Sequence, residues 1–217
     1  KLAEELGTAG SRDLLAAARL KLGDFYAQKS AKEHLERAEA YDQLAFQAWR
    51  QLEKEGYCKV AKMGLPACAI ALSDLYERMG GEEHRKKASD MAAYARERYE
   101  RNLKEHRSVS NLRKLAAAWR RTGDLLMASG GTECLTQAFA AYQKAYELCS
   151  DKEAEPETRA GREELAQCQT CLGVLYESCG DRAHMQQAFA AYQKAYALRK
   201  ENLREDDGVQ TVLDAVL

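Results

Sequence analysis

A ten-residue segment that occurs twice, 50 residues apart, constrains the fold of this chain more than any other feature. Gln137–Tyr146 and Gln187–Tyr196 both read QAFAAYQKAY. The same offset aligns four places where leucine or threonine precedes glycine or serine. These pairs are Leu22-Gly23, Leu72-Ser73, Thr122-Gly123 and Leu172-Gly173. Because each unit of a repeat protein packs mainly on its neighbours, four such units predict a repeat array.

Each 50-residue repeat contains two helical patterns. In the first, mostly apolar or small residues fall at i, i+3, i+4 and i+7, with Arg19 and Gln169 as polar exceptions at the opening position. This spacing places them on one face of a helix. The small glycine or serine in this face predicts close approach of a neighbouring helix. The second pattern carries two alanines seven residues apart, which also favour close packing. These alanines are Ala38, Ala45, Ala88, Ala95, Ala138, Ala145, Ala188 and Ala195.

Residues between the two patterns predict where the helices begin and end. Glycine follows the first pattern in the second, third and fourth repeats and can end that helix. Ser30, Thr132 and Asp181 are predicted to cap the second helices. Pro66 lies inside the first pattern of the second repeat, so we expect that helix to begin late, near Leu65, or to kink there. The second helices run into charged residues, and Gly208 is expected in the turn after the last of them.

The repeats divide the chain into segments of equal length. We predict a single repeat array over residues 1–217, with repeats at about 8–57, 58–107, 108–157 and 158–207. Residues 1–7 are expected to be the end of a preceding second helix, and 208–217 a partial repeat or cap. The chain is therefore expected to be a piece of a longer protein.

Composition excludes several classes of function. Lys+Arg total 33 and Asp+Glu 34, a net charge of −1 that argues against binding nucleic acid by phosphate neutralisation. The longest apolar run, Leu65–Leu72, is far shorter than the ~18 residues of a membrane-spanning helix. Seven cysteines are present, and they do not recur with the repeat as a disulfide framework would. Reduced thiols in a cytoplasmic protein are therefore expected.

The combined pattern resembles the tetratricopeptide repeat (TPR) family. The runs that carry the resemblance are Ala118–Gly123 with Ala141–Ala145, and Leu172–Tyr176 with Ala191–Ala195. The usual TPR period is ~34 residues, so both helices here are expected to be longer, as in long-period bacterial repeats. The resemblance implies an all-α fold, an α-solenoid of four helical hairpins in a right-handed superhelix. It also implies a concave groove, lined by the first helices, that binds a peptide or partner helix.

Groove positions follow from the same resemblance. Asp24, Asp74 and Asp124 recur at 50 residues as a ladder of acids, which would favour basic or amide-rich ligands. The alternative is that these acids simply form a solvated helix face, where single charges contribute little. The candidate groove residues are Leu20, Asp24, Gln28, Ile70, Asp74, Glu77, Arg78, Arg120, Asp124, Met127, Thr170 and Glu177.

Two patterns invite a metal or redox interpretation, and neither supports it. His34, His84 and His184 recur with Cys134 in the third place, but stacked helices lie about 8–10 Å apart. Zinc ligands must lie ~2.0–2.3 Å from one ion, so this ladder is expected to be a first-turn residue of each second helix. Cys168-x-x-Cys171 lies inside a helical pattern without a second pair, which indicates small buried residues.

A non-catalytic protein-binding module is the function these observations favour. No nucleophile–base pattern and no phosphate-binding loop occur, so we expect no catalytic residues, metal or cofactor. The expected partner is a protein or peptide, not nucleic acid or membrane. Three alternatives stay open: a peptide-sensing switch, a structural spacer or self-association segment, and part of an enzyme whose active domain lies elsewhere.

Overall fold

The computed structural model describes residues 7–216, with side chains described through Arg204. This part of the chain contains eight α-helices, one 3-10 helix at Lys152–Ala154 and no β-strand, so the all-α prediction is confirmed. The helices are α1 Ala9–Ala27, α2 Lys32–Lys54, α3 Cys58–Met79, α4 Glu82–Glu105, α5 Val109–Ser129, α6 Thr132–Cys149, α7 Arg159–Cys179 and α8 Arg182–Val216.

The helices belong to two compact units, Lys1–Asn102 (unit 1) and Leu103–Leu217 (unit 2). In unit 1, α2 packs against both α1 and α3, and α1 also contacts α3. In unit 2, α6 packs against α5 and α7, α7 packs against α8, and α5 contacts α7. Odd-numbered helices are called first helices below, and even-numbered helices second helices.

Side-chain caps start three of the four first helices at the same place in the repeat. The hydroxyls of Thr8, Ser108 and Thr158 accept hydrogen bonds from the backbone N–H three residues later, at 3.2, 3.3 and 3.1 Å. At this repeat position the second repeat has Cys58, which is already the first residue of α3, and α3 has no side-chain cap. A hydroxyl at this position satisfies one of the unpaired N–H groups of a helix start.

The predicted stops of the first helices are confirmed, and two of the three predicted caps of the second helices are wrong. Gly80, Gly130 and Gly180 follow α3, α5 and α7 with φ of 70°, 73° and 77°, which glycine adopts without steric cost. Asp181 caps α8 by accepting from the N–H groups of Ala183 and His184. In place of Ser30, Ala31 precedes α2 without a side-chain cap, and Thr132 is already the first residue of α6.

The core lies along the alanines of the second helices. All eight predicted alanines are at most 3% exposed, so this prediction is confirmed. The corresponding face of the first helices is buried in α3, where Leu72 and Tyr76 are 2% and 6% exposed. In α1 the equivalent Leu22 is 43% exposed, against expectation, because no preceding second helix covers it in the described part of the chain.

Pro66 lies in the interior of α3, which begins at Cys58 and not near Leu65 as predicted. Proline has no N–H to donate to the carbonyl of Lys62, four residues earlier. The side-chain amide of Asn102, a residue 4% exposed on α4, donates to that carbonyl at 3.0 Å. A side chain from the second helix therefore replaces the hydrogen bond that Pro66 removes.

Because the Asn102 amide replaces the N–H that Pro66 lacks, we expect the effects of mutating these two residues on stability to be coupled. Asn102→Ala is expected to lower the free energy of unfolding by about 1–3 kcal/mol, because a partly buried carbonyl loses its donor. In a Pro66→Ala background the cost should fall by about 1 kcal/mol, since residue 66 then donates. Urea unfolding of the four variants measures the coupling. Asn202→Ala, at the same repeat position in unit 2, should show no coupling to Pro66→Ala.

The last helix is longer than the repeat predicts. α8 continues through Gly208 to Val216, so the turn expected at Gly208 is not present. The side chains of residues 205–217 lie outside the described part, and so do residues 1–6. The predictions of a partial repeat at 208–217 and of a preceding helix end at 1–7 therefore stay predictions. None of the described helices is both long and apolar enough to span a lipid bilayer.

Candidate peptide-binding face on the first helices

The predicted groove residues of unit 1 lie on two first helices that contact each other. Asp24 on α1 is partly exposed and lies 3.2 Å from the ammonium group of Lys21. Asp74 on α3 is exposed. Leu20, Ile70 and Glu77 are half-buried on the same two helices. Unit 1 thus combines two acids at equivalent repeat positions with flanking apolar surface.

The remaining two groove residues of unit 1 lie at the ends of these helices. Gln28 is exposed and caps the C-terminus of α1. The guanidinium group of Arg78, in the last turn of α3, donates to the carbonyl of Ala27. Because the last carbonyls of a helix have no intrahelical partner, this bond satisfies the end of α1 and joins the two first helices.

Unit 2 uses its groove acids differently. Asp124 on α5 accepts a hydrogen bond of 2.7 Å from the hydroxyl of Tyr142 on α6. Glu177 on α7 accepts one of 2.8 Å from the hydroxyl of Tyr192 on α8. Each acid is exposed but also anchors the tyrosine of its own helix pair. Sequence reasoning placed Asp124 in a ladder of equivalent acids and missed this second role.

Arg120 lies between two first helices and is only 12% exposed. One guanidinium nitrogen is 2.7 Å from the carboxylate of Glu164, and the other donates to the amide oxygen of Gln167 at 2.9 Å. These bonds join α5 to α7, so Arg120 contributes little free charge to the predicted groove. Met127 packs in the core around Ala138, and Thr170 donates to the carbonyl of Ala166 in its own helix.

The small residue that recurs in the first helices lies against the residue 19 positions later in the chain, which is on the second helix. A Cβ built on Gly123 would overlap the ring of Tyr142, and one built on Gly173 would overlap the ring of Tyr192. The predicted close approach is therefore confirmed. In the second repeat, Ser73 and Ala92 stand at these two positions, and both are at most 1% exposed. A larger first-helix residue thus accompanies a smaller second-helix residue.

The first repeat fills this contact with a carboxyl group instead of a ring. Asp42 on α2 is 1% exposed, and its side chain lies where a Cβ on Gly23 would stand. Its Oδ1 atom has no hydrogen-bond partner. Burial, with a smaller contribution from the charge of Asp24, raises the pKa of Asp42 to about 7. The 19-residue offset from Gly23 could have identified this position from sequence.

The histidine ladder has a structural role within each helix pair. His34, His84 and His184 lie in the first turn of α2, α4 and α8, as predicted. Each stacks on the tyrosine of the preceding first helix, with ring centroids 5.9, 5.9 and 6.0 Å apart. The third repeat has Leu126 in place of tyrosine and Cys134 in place of histidine. The ladder therefore follows an aromatic contact and not a shared ion.

All seven cysteines are free thiols, and three of them are buried. The Sγ atoms of Cys149 and Cys168 are 3.8 Å apart across α6 and α7, well beyond the ~2.05 Å of a disulfide bond. Cys168 of the CxxC spacing therefore contacts a thiol of another helix. Among the residues described, no group of three or more His, Cys, Asp or Glu side chains is arranged to hold a metal ion.

Unit 2 also has an open cleft of about 450 Å³ where the ends of α6, α7 and α8 meet. The residues that line it include Leu135, Phe139, Leu175 and His184. The imidazole of His184 is bonded to the carboxylate of Asp181, the cap of α8. The cleft is thus mainly apolar, and the imidazole in its lining already has a partner.

Comparisons with known proteins identify the fold and no more. No protein-family model and no curated protein matches the sequence. The solved structure of the de novo designed helical repeat protein DHR64 is similar, with a TM-score of 0.52 and 18% identity over 92% of this chain and 100% of that one. The DHF58 filament has a TM-score of 0.51 and 16% identity, over 92% and 97%. These neighbours do not identify the TPR family, but they show that the chain has an all-α helical repeat fold.

Proposed function

We propose that this chain is a non-catalytic protein-binding module that captures an extended peptide or a partner helix on its first helices. The observation that supports it most directly is the contact between neighbouring first helices, α1 with α3 and α5 with α7. Such a pair presents a continuous surface on which one ligand can contact equivalent residues of two repeats. The proposal includes the finer assignment as a cytoplasmic TPR-like superhelix of four hairpins.

Unit 1 offers the better surface for a charged ligand. Asp24 and Asp74 lie at equivalent positions on α1 and α3, and the repeat position of Tyr142 is occupied there by Asp42 and Ala92. In unit 2, the acids hold Tyr142 and Tyr192. A peptide with basic or amide side chains spaced to reach both acids would match the charge of unit 1.

The test uses peptides that are selected for binding to the parent chain and are enriched in lysine, arginine or asparagine. Asp24→Lys combined with Asp74→Lys is expected to weaken their binding at least tenfold in fluorescence anisotropy, because attraction becomes repulsion. Binding to the parent should also weaken as salt screens the exposed charges. Asp124→Asn, which removes a unit 2 charge but keeps an acceptor for Tyr142, should have a smaller effect.

The matched control is Asp90→Lys on α4, an exposed acid of unit 1 that lies on a second helix. It should leave the affinity unchanged, and helicity should be unchanged in every variant. If the double reversal at Asp24 and Asp74 binds the selected peptides as tightly as the parent, the first-helix face of unit 1 is not their site.

A further inference from the structure

Helix α1 has an apolar face that no other helix covers in the described part of the chain, although the ammonium group of Lys29 lies 5.1 Å from the centre of the Phe25 ring. Leu14, Leu22 and Phe25 are 72%, 43% and 53% exposed, and their spacing places them on one side of the helix. These three residues form the α1 outer face. The opposite side of α1 is buried at Ala16 and Gly23.

The equivalent positions one repeat later show what such a face does. Leu72 and Leu75 of α3 correspond to Leu22 and Phe25, and they are 2% and 1% exposed. Leu75 packs in a cluster with Leu35 and Ala38 of α2. The face that α1 exposes is thus the face that α3 buries under a preceding second helix.

Helix α8 exposes the opposite half of such an interface. Met185, Phe189 and Tyr196 are 47%, 64% and 66% exposed on one side of the helix and form the α8 outer face. Its buried side carries Ala188, Ala191 and Ala195. The outer face lies within or beside the segment 187–196, whose letters are identical to those of 137–146 in α6.

In α6, the residues of this identical segment pack against the first helix that follows. The ring of Phe139 lies 5.9 Å from that of Tyr176 on α7. Tyr146 packs in a cluster that includes Leu165 and Cys168 of α7. Because α8 repeats these side chains and no first helix follows it in the described part of the chain, the α8 outer face is the unpaired half of the contact that α6 makes with α7.

Two features indicate which helix completes this contact. The backbone of residues 205–216 continues α8, so this segment does not turn back over the α8 outer face. Several residues of α1 resemble the equivalent α7 residues that pack on or beside α6. A small residue stands where α7 has a small residue, and a large apolar residue stands where α7 has one. The pairs are Leu15 with Leu165, Ala18 with Cys168, Leu22 with Leu172, Phe25 with Leu175, and Tyr26 with Tyr176.

We propose that the chain associates head to tail, with the α8 outer face of one copy packed on the α1 outer face of a second copy. Phe189 then meets Tyr26 and Phe25 of the other copy, as Phe139 meets Tyr176 and Leu175 within one chain. The contact joins two different surfaces, so it is heterologous and leaves one free face at each end of a dimer. One helix against one helix is a small interface, which implies reversible association that depends on concentration.

Sedimentation of the 217-residue chain, with each face blocked in turn, tests this arrangement. The weight-average mass of the parent should rise with concentration beyond that of a dimer, because each added copy leaves a free face. Leu22→Glu with Phe25→Glu blocks one face, and Phe189→Glu with Tyr196→Glu blocks the other. Each variant alone should stay monomeric, and an equimolar mixture should form a dimer that grows no further.

All four substitutions are at exposed positions, so far-UV circular dichroism should match the parent. Leu44→Glu is a control at a large apolar residue on α2, 44% exposed, and should associate like the parent. A parent that stays monomeric up to millimolar concentration would overturn the proposal and favour coverage of these faces by repeats of a longer polypeptide. Self-association of either blocked variant alone would overturn it too, because the contact would then join identical faces.

Discussion

Replacing Gly123 by leucine is expected to lower the free energy of unfolding by about 1–3 kcal/mol or more, because the site has no room for a side chain. Even a Cβ atom at Gly123 would overlap the ring of Tyr142, whose hydroxyl is fixed on Asp124. The ring therefore cannot move aside without losing that hydrogen bond. Urea unfolding followed by circular dichroism measures the loss.

A substitution elsewhere separates this clash from the ordinary effect of removing a glycine. Gly10 lies in α1, and a Cβ there would meet no atom within 4 Å. Gly10→Ala should therefore raise the free energy of unfolding by up to about 1 kcal/mol, through helix propensity alone. Gly123→Ala should have the opposite sign. If both substitutions stabilise the chain, α5 and α6 do not approach closely at Gly123.

The second repeat supplies the compensating change. Ser73 and Ala92 occupy the positions of Gly123 and Tyr142, and both are buried. Gly123→Ser should therefore cost much less in a Tyr142→Ala background than in the parent. The expected coupling is about 1 kcal/mol or more, since two residues in contact seldom act independently. Additive effects would show that the register of the repeats does not determine this contact.

Features that repeat along the chain were predictable from sequence, since four copies of one pattern report one packing arrangement. The buried alanines, the glycine stops and the first-turn histidines belong to this group. The start of α3 was not predictable from Pro66, because the compensating donor, Asn102, lies 36 residues away. The role of Asp124 depends on a tyrosine of another helix, so its place in the acid ladder described its position but not its hydrogen bond.

The exposure of the first helix was harder to predict for a related reason. The pattern at Leu22 is the same as at Leu72, but burial depends on whether a second helix precedes it. Leu22 is 43% exposed and Leu72 is 2% exposed. A sequence motif specifies which face of a helix can be covered, and only its neighbours determine whether that face is covered.

Replacing Asp42 by asparagine is expected to remove a pH dependence that the parent shows between about pH 4 and about pH 7. The pKa of Asp42 is about 7 in the folded chain, against about 3.9 for an unperturbed aspartate. The folded state therefore binds the proton more tightly. The contribution of Asp42 to stability is present below about pH 4 and is lost as the pH rises to about 7.

The size of this effect follows from the pKa difference. A shift of about three units corresponds to at most about 4 kcal/mol, and local relaxation will reduce it. Urea unfolding of parent and Asp42→Asn from acid to neutral pH should show the variant gaining relative stability as the pH rises. Asp90→Asn, an exposed acid, should leave the pH profile of the parent unchanged.

A second substitution tests the electrostatic part of the argument. The charge of Asp24 is the smaller of the two causes that raise the pKa of Asp42. Asp24→Asn should therefore move the pH dependence to lower pH without abolishing it, because burial remains. A parent whose stability does not change between about pH 4 and about pH 7 relative to Asp42→Asn would show that Asp42 ionises freely. The contact at Gly23 would then be open to water, unlike the ring-filled contacts at Gly123 and Gly173.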